Sequence, residues 1–183
     1  TAALSAQQTP RMVGGCPVGD PATFHACASE KAKAFNPPKT ADGVPNISGY
    51  WDRLYTSQDI EEHGRDAFNT QAGPSIVVDT PDRRVPYQPW ALELKKKMVA
   101  TYISPLASCF SPGVPRWGVA PGPHQIVQTP GHVFYLLEFA HSYRVIPTTA
   151  RRQVGAGIRL FNGDSRGRWE GNTLVVDVTN GNG

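Results

Sequence analysis

The stretch Arg166 to Val178, RGRWEGNTLVVDV, constrains the fold most strongly. A polar entry leads to Trp169, then to the turn-capable pair Gly171-Asn172, then to an apolar, β-branched run, LVVDV. This is the profile of a half-buried strand following a tight turn, and such a strand needs others to pair with. The rest of the chain has the composition to supply them. It holds 18 glycines and 17 prolines among 183 residues, with 18% charged. Turn-rich all-β proteins have such compositions, and bundles of long helices do not. A chain of this length buries a core without needing metal or disulfide staples.

Taken in order, residues 1–45 show little periodicity and read as a tail on the domain surface. Cys16 and Cys27 lie 11 apart within it, close enough to close a small disulfide loop in an oxidising compartment. That leaves Cys109, expected to be a buried free thiol. Ser29 to Phe35 suits two helical turns capped by Ser29. The small-residue start TAALSAQQ resembles the end of a secretory signal or what its removal leaves, so the expected location is secreted or periplasmic.

The β-rich domain is expected over 46–183. Gly49-Tyr50-Trp51 is a G-x-W, the opening of lipocalin-type barrels, in which Trp51 would plug one end. Ser75–Asp79 and Arg83–Tyr87 read as a hairpin around Thr80-Pro81-Asp82. Pro89–Ile103 is the best helix: Trp90, Leu94, Met98 and Tyr102 form one stripe, with lysines mostly off it. The stripe predicts a helix packed on the domain in preference to one lying on a membrane surface. Gln125–Thr129 and a long strand from His132 to Ile146 flank the type II turn signal Pro130-Gly131, with a bend or bulge expected near Ala140. Ile158–Phe161 reads as a further short strand before the turn Asn162-Gly163-Asp164.

These blocks together (ISGYW, SIVVD, YQPW, CFSPGVPR, QIVQTPG, EFAHSYRVIP and RWEGNTLVVD, in that order) resemble a group of uncharacterised bacterial secreted or periplasmic proteins. The group shares the signature GRWEG-(D/N)-TLVVDT, and the resemblance covers about residues 42–182. It implies an exported, lipocalin-like, β-rich domain and brings no assigned activity. Its members usually continue beyond the TN of Thr179-Asn180, so the domain is expected to be incomplete at its C-terminus, with further strands from the same protein or from a partner chain. About seven candidate strands fall short of the roughly eight that close such a barrel.

The fold class is therefore all-β: an up-and-down barrel or a curved antiparallel sheet of lipocalin type, with one helix. Strand alternation places Val133, Tyr135, Leu137, Phe139, His141 and Tyr143 on one face of the long strand. Facing a lumen, they would line a pocket for a flat apolar molecule, with His141 buried as its polar anchor or general base. The ligand-binding candidates are Trp51, Tyr135, Phe139, His141, Tyr143 and Arg144. The catalytic candidates are His141 and Glu138, brought together if Ala140 bulges. Arg144 and Glu138 are expected to pair across strands, with Arg166, Arg168, Glu170 or Asp177 as partners, or to hold a ligand's anionic group.

Three functions follow: binding of a small apolar or aromatic molecule outside the cytoplasm, acid–base catalysis in the same pocket, or a structural role in an extracellular or envelope assembly, oligomeric in form. Whether the protein is an enzyme stays open at this point. No cofactor is expected. The five histidines lack metal-binding spacing and no Cys pair lies beside them, so no metal site is expected either. The net charge is +3 and Lys95-Lys96-Lys97 is the densest basic run, too little to track a nucleic-acid backbone. No apolar run is long enough to span a bilayer.

Overall fold

The computed structural model describes residues 11–55, 59–65, 72–103, 108–111, 113, 116–119 and 122–181. The chain forms two compact units, one of Thr1–Phe35 with Ser57–Trp90, the other of Asn36–Thr56 with Ala91–Gly183. The division falls inside both the expected tail and the expected domain, because 57–90 groups with the N-terminal segment.

In the first unit, β1 (Met12–Val13) and β2 (Cys16–Pro17) form a minimal antiparallel hairpin. Helix α1 (Pro21–Ala32) follows. It begins eight residues before the expected Ser29 cap, because Asp20-Pro21 supplies a stronger start. The Asp20 side chain accepts from Thr23 N at 2.9 Å, and Pro21 stands at a first-turn position where no N–H is needed. Cys16 and Cys27 are disulfide-bonded, with Cα atoms 5.8 Å apart. The expected 75–87 hairpin is a turn without a ladder. Arg83 N donates to Thr80 O, and Ser75 and Arg83 exchange side-chain to backbone bonds of 2.7 Å, but residues 74–78 are not strand.

The second unit holds β3 (Gly49–Trp51), β4 (His124–Thr129), β5 (His132–Leu137) and β6 (Ser142–Pro147), an antiparallel sheet in that order. β7 (Asp164–Glu170) and β8 (Thr173–Thr179) form a separate hairpin through Gly171-Asn172. The protein is thus mainly β and antiparallel, and among the described residues its sheets do not close into a barrel. Pro130-Gly131 turns as expected, with Thr129 opposite His132 and Gly131 at φ +77°. Ile158–Phe161 forms no strand; Leu160 makes one parallel bridge to Gly181.

The expected long strand 132–146 is instead two strands, β5 and β6, with Leu137 opposite Ser142. The chain reverses over 138–141, where Ala140 (φ +55°) and His141 (φ +47°) both take left-handed conformations. No glycine, proline or asparagine marks this turn, so the sequence alternation runs through it without a break. The reversal sets Tyr135 opposite Arg144 and Val133 opposite Ile146 on one sheet face. That face is buried: Val133, Leu137, Ser142, Arg144 and Ile146 are all less than a tenth exposed. The other face leaves Tyr50, Leu136, Tyr143 and Val145 exposed.

Helix α2 (Pro89–Thr101) forms where expected, making two helices in place of one. Its stripe is not covered: Trp90, Leu94, Met98 and Tyr102 are exposed. Trp51 plugs nothing, being 47% exposed with Nε1 donating to Ile47 O. Cys109 is an exposed free thiol, not a buried one. Among the described residues no helix is long and apolar enough to cross a membrane.

Candidate functional site

In the second unit a cavity of about 490 Å³ opens between β6 and the segment 160–166. β6 is the edge strand of its sheet; Ser142, Arg144 and Ile146 are buried and Tyr143 and Val145 exposed, and residues of both rows border the cavity. Asn162-Gly163 then turns the chain into β7, whose first residues, Asp164 and Ser165, are buried. A Cβ at Gly163 would lie 2.6 Å from Val178 Cγ1 and 2.7 Å from Thr179 O, so only glycine lets this turn approach β8.

Arg144 joins the two sides. Its Nη1 donates to Ser165 Oγ at 2.6 Å and to Asn162 O at 2.9 Å. Burial lowers its pKa from the usual arginine value. Asp164 and Arg166 form a two-pronged pair, Nη1 to Oδ1 at 2.9 Å and Nη2 to Oδ2 at 2.7 Å, and Asp164 Oδ2 also accepts from Val154 N at 2.9 Å. The remaining N–H groups of Arg166 reach the carbonyls of Arg151, Arg152 and Ser165. At the hairpin tip the Ser111 and Ser142 hydroxyls bond to each other, and Ser142 donates to Ala140 O at 3.3 Å. Tyr143, Val145, Pro147 and Leu160 supply the apolar part of the lining, and Arg151 stands beside them.

Of the residues singled out from the sequence, His141, Tyr143 and Arg144 line this cavity. His141 is exposed at the hairpin tip, not buried among aromatic rings, because the reversal at 138–141 lifts it off the sheet face. Tyr135 and Phe139 pack against Leu137, and Trp51 lies on the edge strand β3. Glu138 faces a second cavity of about 360 Å³ with Tyr50, His124, Leu136 and Leu137. The carboxylate that shares a cavity with His141 is therefore Asp164, and it is held by Arg166. The expected cross-strand partners divide differently too: Arg168 pairs with Glu170 at 2.7 Å and with Asp177.

A second cluster escaped the sequence reading. His124 stacks on Tyr135 with ring centroids 4.6 Å apart, and Arg53 Nη2 donates to Tyr135 Oη at 3.1 Å. Burial first, then the Arg53 charge, lower the His124 pKa; burial raises that of Tyr135. The register pairing His124 with Leu137 and Ile126 with Tyr135 creates this stack. Only a correct strand pairing predicts it. Among the described residues no three His, Cys, Asp or Glu side chains come together to hold a metal ion.

Comparison with protein-family models, with curated proteins and with solved structures finds no match to this chain.

Proposed function

We propose that the protein works outside the cytoplasm, secreted or periplasmic, and binds a small apolar or aromatic molecule in the β6–β7 cavity. The observation that carries this reading is the cavity itself: about 490 Å³, the size of a small-molecule site, with an apolar wall and a few converging polar groups. The Cys16–Cys27 disulfide supports an oxidising compartment. The signature GRWEGNTLVVDV, with its likeness to the exported group, supports the same location and a lipocalin-like architecture. In that architecture β6 and β7, which already approach each other at Ile146 and Gly167, would belong to one wall.

The test is native mass spectrometry of the protein taken from its source, followed by thermal shift with a panel of small aromatic molecules. A retained small mass, or a rise in Tm that Tyr143→Ala removes, is the expected result. No retained mass and no shift from any aromatic at millimolar concentration would overturn the reading.

Acid–base catalysis is the second reading. It is favoured by one observation: two consecutive non-glycine residues, Ala140 and His141, hold left-handed backbone at the cavity edge. Strain of this kind, on the order of 1 kcal/mol per residue, collects at functional positions.

A further inference from the structure

The cavity is lopsided in charge. Arg144, Arg151 and Arg166 line it against Asp164 alone, and these four groups sum to +2. Several of its polar groups are occupied by the protein, while Asn162 Oδ1 is buried with no hydrogen-bond partner among the described residues. Arg166 has all five N–H groups engaged, two of them on Asp164. Arg144 holds Ser165 and Asn162. The serine protons are used as well, Ser142 on Ala140 O and Ser111 on Ser142.

Arg151 differs. Its guanidinium makes no hydrogen bond or ion pair among the described residues, while its backbone is pinned: Arg151 O accepts from Arg166 Nε at 3.1 Å and Arg151 N donates to Thr149 O at 2.7 Å. One exposed cationic fork thus lines the edge of a cavity of net positive charge, beside apolar residues.

We propose that the cavity takes an aromatic or apolar monocarboxylate, with the carboxylate on Arg151 and the body along Tyr143, Val145 and Leu160. This rests on the binding function proposed above and names its ligand class. A guanidinium fork matches the two coplanar oxygens of a carboxylate. Phosphate suits the site less well, since a dianion is usually cradled by several backbone N–H groups in a glycine-rich loop, and among the described residues Gly163 is the one glycine in this lining.

Calorimetric titration with benzoate, benzyl alcohol and inorganic phosphate tests it, on the wild type, Arg151→Ala and Arg151→Lys at low salt. Benzoate should bind at least tenfold more tightly than benzyl alcohol. Arg151→Ala should remove about tenfold of that affinity, the scale of one charge-assisted contact, and Arg151→Lys should restore part of it. Added salt should weaken benzoate and spare benzyl alcohol. Because Arg166 holds the residue 151 carbonyl, which alanine keeps, the variant should fold with unchanged Tm. Equal binding of benzoate and benzyl alcohol, or benzoate binding indifferent to Arg151→Ala, would overturn the carboxylate assignment and leave cavity binding standing. Phosphate binding as tightly as benzoate would reduce the site to an ion site and overturn it too. If no aromatic probe binds, the binding function falls with it.

Discussion

Asp20 offers one carboxylate to three donors: Thr23 N at 2.9 Å, Thr23 Oγ1 at 2.9 Å and Arg83 Nη1 at 2.8 Å. The Thr23 backbone bond is the largest cause, then the Arg83 side-chain bond, and together they bring its pKa from 3.8 down to about 2. A carboxylate whose folded pKa lies below its unfolded value stabilises above the unfolded pKa and loses that contribution as pH falls through the folded one. Acid titration should therefore loosen the first turn of α1 between about pH 4 and pH 2, read as exchange of its amides, and Asp20→Asn should flatten that step. A flat profile in the wild type would refute the capping role. Arg144 makes a different case, since it is buried. Arg144→Ala leaves the Ser165 hydroxyl and the Asn162 carbonyl without this donor, at a cost of about 1–3 kcal/mol. Chemical denaturation would show it, and a change under 0.5 kcal/mol would be too small for the role described.

Elements were legible where the chain carries its own punctuation. Pro130-Gly131 and Gly171-Asn172 announce their turns, and both form with left-handed glycines. The 138–141 reversal has only Glu, Phe, Ala and His, so no local signal distinguished a hairpin from a bent strand. Asp20-Pro21 is a readable helix start, and Ser29 is a later and weaker cap. The Trp90–Tyr102 stripe was real as periodicity, but periodicity cannot say what, if anything, lies against it. The cavity was half legible: Arg144 and Tyr143 stood out, but Asp164 and Ser165 gain their roles from β7 packing near β6, a contact between two strands that share no ladder. Gly167 marks that contact. A Cβ there would lie 2.8 Å from Ile146 Cγ2 and 3.0 Å from Thr148 Cγ2. Gly167→Ala should destabilise the unit by about 1–3 kcal/mol through overpacking and weaken binding in the cavity. A neutral effect on the denaturation midpoint would mean that β6 and β7 can separate freely.

At the scale of the molecule, the disulfide is confined to the first unit, joining the β1–β2 hairpin to α1. Replacing Cys16 and Cys27 with serine should lower that unit's stability by about 2–3 kcal/mol, since the bond closes a short loop. Amide exchange in α1 should accelerate while β4–β5 amides stay protected; equal acceleration in both would contradict a local role. The connectivity has a consequence for synthesis. Gly49 pairs with Ile126, and the 57–90 piece of the first unit lies between them in sequence. A chain emerging from its N-terminus presents β3 as an orphan that must wait for β4. The first unit receives its last residues during that wait. If it condenses on emergence, it shortens the tether that β3 must close, and loop-closure entropy falls with it. The unit that lacks the cavity would then set the pace at which the cavity's own sheet is completed.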